Sequence, residues 1–496
     1  MRKIYCGVIT LLLSTIVAKA QWQPLTSPLQ EGPRDESLVS DLNADGTVMV
    51  VGTGGFRVRR DRVSVYNLAN GNLTQKGNTI NSPIPTEADF GFTVSIDDSG
   101  NRIAVGAPFD RINGIRRDRV FIYEFDGSRW QLLDTFFGTT SGSAPAYDVS
   151  MSGDGKSVAI GSTGRAGTGT VTVYKERSNG DWRRIGQEVP SGFALDNFGY
   201  SVDLNFDGTR FIGGGDANNA DFDPNLPPNV GSVYVYELLP TGWAQISPRI
   251  NGDFKEDRFG HSVAINDAGD RIVVGANEND DGGNLSGHTK VFEQRNGEWV
   301  QLGQTIVGEA GDFSGGSVDM NPTGNIIVVG AYAGGSGDQG RIRVYELVGN
   351  QWRQIDQTIV GSRREEFLGW NVSISDDGSR VVASSFGQVV RTFVNPRLAS
   401  RSGAKAAVSN NVAAKAEVES ISVYPNPGSG FFQIDMPNAS GAVSVTIADV
   451  SGKLVYEASF EENENIQISH DLSTGLYILN VASENAETYS QKLSIE

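Results

Sequence analysis

The chain has almost no cysteine. Of its 496 residues only Cys6 is one, and it lies in an apolar stretch at the start. Arg2 and Lys3, the apolar run from Val8 through Leu11-Leu12-Leu13 to Val17, and then Ala18-Lys19-Ala20 read as a secretory signal peptide over residues 1–20. Cleavage before Gln21 leaves no thiol, so disulfides and cysteine chemistry are excluded and burial with backbone pairing must hold the mature chain. Histidine is nearly as scarce. His261, His288 and His470 are the only three, the last far along the chain, which excludes a three-histidine zinc site and leaves at most two bases for a Ser-His-Asp triad. No Gly-x-Ser-x-Gly elbow and no P-loop is present, so the chain is not expected to be an enzyme. Cations are outnumbered, 41 against 59 acidic residues; loss of Arg2, Lys3 and Lys19 with the signal peptide moves the net charge from −18 to −21. Such a surface repels phosphate backbones, which argues against nucleic acid as a partner. After residue 20 nothing approaches the ~18 consecutive apolar residues of a membrane span, so the mature chain is expected to have no transmembrane segment.

Glycine, in contrast, is plentiful: 61 residues against 18 prolines, without a Gly-X-Y period. It punctuates a repeat. Seven turn glycines, Gly46, Gly100, Gly155, Gly208, Gly269, Gly324 and Gly378, follow one another at intervals of 54, 55, 53, 61, 55 and 54 residues. Each unit holds four short alternating segments separated by turn residues, as in Thr93-Val94-Ser95-Ile96, Arg102 to Ala107, Arg119 to Glu124 and Trp130 to Leu133. Four short strands repeated seven times predict an all-β, seven-bladed β-propeller, with a linear solenoid as the rival. The last unit lacks the tryptophan strand that others carry as Trp130, Trp182, Trp243, Trp299 and Trp352, and Gln21-Trp22-Gln23-Pro24-Leu25 stands ready at the mature N-terminus to supply it. This predicts that the N-terminal strand closes the ring and removes an open edge. Residues 21–398 then form the propeller, the alanine-rich residues 399–420 a flexible linker, and residues 421–496 a small β-sandwich with period-two alternation in Val443-Ser444-Val445-Thr446-Ile447.

The pairs Phe90-Gly91, Phe198-Gly199 and Phe259-Gly260, with Val105-Gly106-Ala107-Pro108, Val274-Gly275-Ala276 and Val329-Gly330-Ala331 after the turn, resemble the FG-GAP repeat of integrin α-like propellers; Phe313-Ser314 and Phe367-Leu368-Gly369 are degenerate forms. The C-terminal segment resembles the type A sorting domain of the type IX secretion system of Bacteroidota. The matching residues are Tyr424-Pro425-Asn426-Pro427, Asp449 to Tyr456, Gly475-Leu476-Tyr477 and Lys492. That resemblance implies an Ig-like fold, the translocon as a partner, passage through the periplasm, and a secreted or outer-membrane surface-attached destination.

Three groups of residues invite a ligand. Asp41-x-Asn43-x-Asp45-Gly46 and Asp203-x-Asn205-x-Asp207-Gly208 carry the oxygens that the family's calcium loops use, although Met49 and Phe211 stand where a later carboxylate would be. The same turn recurs with Ser, Thr or Ala in the other units, so an Asx turn explains these residues as well, and no cofactor is required beyond this calcium reading. Eight residues before each turn glycine stand Leu38, Phe92, Tyr147, Tyr200, His261, Gly316 and Trp370, five of them rings that could stack on a sugar. Strand alternation places this position on the face that packs against the next blade, so packing competes with ligand binding for Tyr200, His261 and Trp370. Arg57, Arg59, Arg60, Arg116 and Arg117 cluster on second-turn loops, where an anionic glycan would find them. The expected function is recognition of an extracellular glycan or protein, with adhesion foremost; a carbohydrate-active hydrolase or lyase, or a scaffold in a surface assembly, are the alternatives.

Overall fold

The computed structural model describes residues 21–30, 38–54, 61–69, 71–83, 89–108, 111–112, 115–116, 119–137, 144–163, 169–191, 196–216, 230–386, 389–401, 422–424, 431–435, 443–449, 453–460, 465–469, 472–483 and 489–495. It is all-β apart from a short helix at 396–401, and among the described residues no helix is long and apolar enough to cross a membrane. The chain divides into two compact units, residues 1–402 and 403–496. Residues 1–20 lie outside the described residues, as does almost all of the expected linker.

In the first unit every repeat becomes one antiparallel sheet. The fifth is representative: Phe259–Ile265, Arg271–Ala276, His288–Arg295 and Glu298–Gln301 lie side by side in chain order, and Ile306–Val307 also pairs with the third strand. The turn glycines work as the spacing suggests. All seven have φ between +61° and +70°, a left-handed conformation that costs other L-residues ~1–2 kcal/mol. The inner strand of each sheet packs on the inner strand of the next, and Leu368–Ile374 of the last packs on Leu38–Leu42 of the first.

Burial between sheets follows from the alternation. Val48, Val50, Val63 and Val65 of the first sheet share a core with Val94, Ile103, Val105, Phe121 and Tyr123 of the second. The phenylalanine of each intact Phe-Gly pair is sealed in such a core: Phe90 meets Phe121 edge-on at 5.4 Å and Phe198 meets Tyr234 at 5.0 Å. The outer tryptophans tie neighbouring sheets together, with Trp130 donating to Lys76 O (2.8 Å), Trp243 to Ile185 O (2.9 Å) and Trp352 to Leu302 O (2.7 Å). Trp22 makes the same bond, to Ile355 O at 3.2 Å. Next to it Gln23–Pro24 and Leu29–Gln30 pair with Val389–Val394, the third strand of the last sheet. The N-terminal strands therefore stand where other sheets have their fourth strand.

In the second unit, Ser422–Tyr424, Phe431–Asp435 and Asn465–Ser469 form one sheet, and Leu454–Phe460, Val443–Asp449, Gly475–Ser483 and Tyr489–Ile495 another. Phe432, Ile434, Val445, Ile447, Ile468, Leu479 and Leu493 from both sheets make a single core, which is a β-sandwich.

Candidate functional site

At three of the five rings, Tyr147, His261 and Trp370, the backbone breaks the strand alternation. The first and second strands slip register between Pro145 and Asp148, Phe259 and Ser262, Ser314 and Ser317, and Leu368 and Asn371. Each slip is a bulge that leaves two residues of the first strand without a partner on the second and re-aims a side chain. In the last three the first bulged residue is a glycine with positive φ, Gly260 (+93°), Gly315 (+86°) and Gly369 (+92°), and the second is His261, Gly316 or Trp370. The second residue thus leaves the packing face. This also corrects the reading of the degenerate repeats: Ser314-Gly315 and Leu368-Gly369 occupy the place of Phe-Gly, and the glycine is the part that each sheet needs.

The re-aimed rings meet around one cavity of about 510 Å³, within the size range of small-ligand sites. Phe92 contacts Tyr147 (5.4 Å between centroids), Tyr147 contacts Tyr200 (4.7 Å) and Tyr200 contacts His261 (5.0 Å). Across the mouth Trp370 meets Phe386 (5.1 Å) and Tyr332 (5.0 Å). Gly316 has no ring of its own, and a Cβ there would crowd Tyr332, whose ring fills that place. Leu38 is fully buried instead. Six of the seven positions singled out in the sequence therefore line one cavity, and five of them, including Tyr200, His261 and Trp370, bring half-buried rings to its rim. Arg57, Arg59, Arg60 and Arg117 fall outside the described residues; Arg116 is described only as part of the strand Ile115–Arg116.

Polar groups behind the rim are mostly committed. His261 Nδ1 lies 3.5 Å from Asp216 Oδ2, and Arg258 pairs with that same oxygen at 3.6 Å and with Glu278 at 3.2 Å. His288 is wholly buried against Asp281 (3.1 Å), away from the lining residues, and burial pushes its pKa down.

Below the rim a set of carboxylates joins the inner strands, which sequence reasoning missed. Asp148 accepts from Val202 N (2.8 Å), Thr93 Oγ1 (3.0 Å) and Val149 N (3.0 Å). Asp203 accepts from Ile265 N and Ser150 Oγ, both 2.8 Å, and Asp319 accepts from Ile374 N, also 2.8 Å. Asp41 accepts from Ile96 N (3.0 Å) and Ser373 Oγ (2.8 Å). Apart from the bond between the adjacent residues Asp148 and Val149, each crosses from one sheet to a neighbour. The available signal was Asp or Ser five residues before a turn glycine, as in Asp41, Ser95, Ser150, Asp203, Asp319 and Ser373.

Burial, with weaker repulsion from Asp41 and Asp148 respectively, pushes Asp148 up to about 6 and Asp203 up to about 7; it raises Asp41 and Asp319 too. A carboxyl whose folded pKa exceeds its ordinary value of ~4 binds more protons folded than unfolded, so its stabilising contribution is present at low pH and lost as pH rises through the folded value. A tenfold difference in proton affinity at one carboxyl is ~1.4 kcal/mol, and ~1 kcal/mol moves the melting temperature by ~2–4 °C in a domain of 150–250 residues. His288 opposes this below its ordinary range, one group against four. The expected result is a melting temperature at least about 3 °C higher at pH 5 than at pH 8 at fixed ionic strength; a fall on acidification over that window would contradict it.

The two calcium-like triplets are hydrogen-bonded as turns. Asn43 Oδ1 accepts from Val48 N (2.7 Å) while its amide donates to Asp45 Oδ1 (2.9 Å), which also accepts from Thr47 N (2.9 Å). Asn205, Asp207 and Thr209 repeat the pattern. Asp41 and Asp203 turn instead to neighbouring strands, so the structure does not bring either triplet to one point. Among the described residues no group of three or more His, Cys, Asp or Glu is arranged to hold a metal.

In the second unit Tyr477 is buried and donates from its hydroxyl to Ser473 O (2.9 Å). Gly475, Leu476 and Lys492 lie on the paired strands Gly475–Ser483 and Tyr489–Ile495, and Tyr424 ends Ser422–Tyr424; Pro425, Asn426 and Pro427 are outside the described residues.

Comparison with known proteins agrees with both parts. Residues 422–496 match the secretion system C-terminal sorting domain, and residues 254–292 match the FG-GAP repeat. Among curated proteins, an ulvan lyase, NLR42 of Nonlabens ulvanivorans, is 34% identical over 80 residues, which is 16% of this chain and 15% of that relative. The chain thus carries an FG-GAP repeat in a propeller-like, all-β unit and a type IX sorting tail, which implies interaction with that secretion system and a secreted or cell-surface location.

Proposed function

We propose that this exported protein is a surface recognition module that binds a glycan of its surroundings in the aromatic mouth of a closed, seven-bladed propeller. Seven sheets whose inner strands pack in sequence, the last on the first, support the blade count and the closure. The observation that carries the binding site is the cavity of about 510 Å³ rimmed by rings from successive sheets, three of which, Tyr147, His261 and Trp370, sit at bulges. Half-exposed rings offer flat apolar faces to the C–H faces of sugars, and Ser262 and Ser317 in the lining, whose oxygens accept from Val318 N (2.9 Å) and Val372 N (3.0 Å), keep a hydroxyl proton to donate. Adhesion is the role that fits an exported chain of this kind. Binding is favoured over catalysis because Asp148 is the single carboxylate among the described lining residues and its oxygens already accept three bonds, whereas glycosidase chemistry needs a pair of available carboxyl groups.

A glycan array probed with the mature chain tests this. The expected outcome is binding to a restricted set of oligosaccharides, weakened ~10–100-fold by Trp370→Ala, since loss of one stacking aromatic costs ~1–3 kcal/mol. Equal binding by the folded variant removes the mouth as the site.

A further inference from the structure

The geometry points to a cationic nitrogen, such as the ammonium group of an amino sugar, as the group that the aromatic mouth takes. This rests on the reading of the mouth as a glycan site and narrows its ligand. Among the described lining residues none is lysine or arginine, and the one carboxyl is that of Asp148. Arg258, beside the tyrosines, is held by Asp216 and Glu278. Aromatic faces carry the negative side of the ring quadrupole, and a cation within ~6 Å of several such faces is stabilised most when it is partly removed from water. Tyr147, Tyr200, Trp370 and Phe386 supply such faces around one cavity.

The floor has the same sign. Asp148 is the carboxyl in that lining, and a cation seated above it favours its ionised form, which burial otherwise disfavours. A neutral sugar would gain the stacking alone. An anionic one would meet a carboxyl and, among the described lining residues, no lysine or arginine. Walls and floor therefore favour one charge, in a chain whose net charge is −18.

Calorimetric titration of the mature protein with a chitosan tetramer, its fully N-acetylated counterpart and tetramethylammonium chloride tests the inference, with sodium chloride as the ionic-strength control. The expected result is at least tenfold tighter binding of the chitosan tetramer than of the acetylated one, with tetramethylammonium competing. Phe386→Ala, at a side chain exposed enough to leave folding intact, and Trp370→Ala should each weaken both cations at least threefold with an unchanged melting curve. Equal binding of the two tetramers without competition by tetramethylammonium overturns the charge preference and leaves the glycan reading standing. Saturable tetramethylammonium binding with neither tetramer bound keeps the cation and removes the glycan. No binding of any of the three overturns the inference for this mouth.

Discussion

Deletion of residues 21–30 should lower the melting temperature by more than about 10 °C and leave a species that aggregates on heating. Trp22 is 5% exposed and packs with Ile355, Ile359, Leu368 and Phe393, so the deletion empties a site shared by two sheets. Truncating one buried tryptophan costs ~3–5 kcal/mol, and ~1 kcal/mol corresponds to ~2–4 °C in domains of 150–250 residues. The deletion also removes Leu25 N to Thr392 O (2.8 Å) and the hydroxyl pair Thr26–Thr392 (2.8 Å), and it exposes the edge of Val389–Val394. An exposed edge invites pairing between chains. Trp22→Ala should reproduce about half of the loss without the aggregation. A melting curve unchanged by the deletion would show that the last sheet is complete without these strands.

Gly275→Ala and Gly330→Ala should each destabilise the propeller by at least about 3 kcal/mol, above the usual range for a single added methyl group. A Cβ on Gly275 would overlap the carbonyl oxygen of Gly315 in the next sheet, and one on Gly330 would overlap that of Gly369. Gly52 with Gly91, Gly161 with Gly199 and Gly214 with Gly260 make the same approach. The obstacle is backbone on both sides, so relief requires the sheets to separate, and the cores between them would lose contact. Gly349→Ala is the comparison: its φ of +66° carries strain, yet nothing lies within 4 Å of the added carbon, so ~1–2 kcal/mol is expected. Urea denaturation resolves the two classes. Equal losses at Gly275 and Gly349 would mean that the sheets do not pack through these glycines.

This pairing gives the repeat its physical content. The glycine after phenylalanine bulges the inner strand and presents its carbonyl, and the glycine of the second strand in the preceding sheet makes room for it. The turn glycines, the strand pattern and the missing tryptophan strand were readable from the sequence because each is a local or strictly periodic signal. The aim of Tyr147, His261 and Trp370 was not. Period-two alternation assumes an unbroken strand, and the bulge before each ring cancels it. The Asp-x-Asn-x-Asp-Gly spacing left calcium and an Asx turn open for Asp41 and Asp203. Their partners Ser373 and Ile265 lie 332 and 62 residues away, beyond the reach of a local reading. Asp216 and Arg258, which stand behind His261, come from different loops and have no common spacing in the repeat.

Recognition at the mouth rather than on the outer loops or strands is tested by hydrogen–deuterium exchange of the mature chain, with and without the tightest oligosaccharide from the array. The expected result is added protection at the starts of the inner strands, around residues 92–94, 147–149, 200–202, 261–263 and 370–372, and little change at residues 277–287 or along the outer strands. Protection confined to the loop at 277–287 or to an outer strand such as Trp130–Phe137, with the inner strands unchanged, would contradict it.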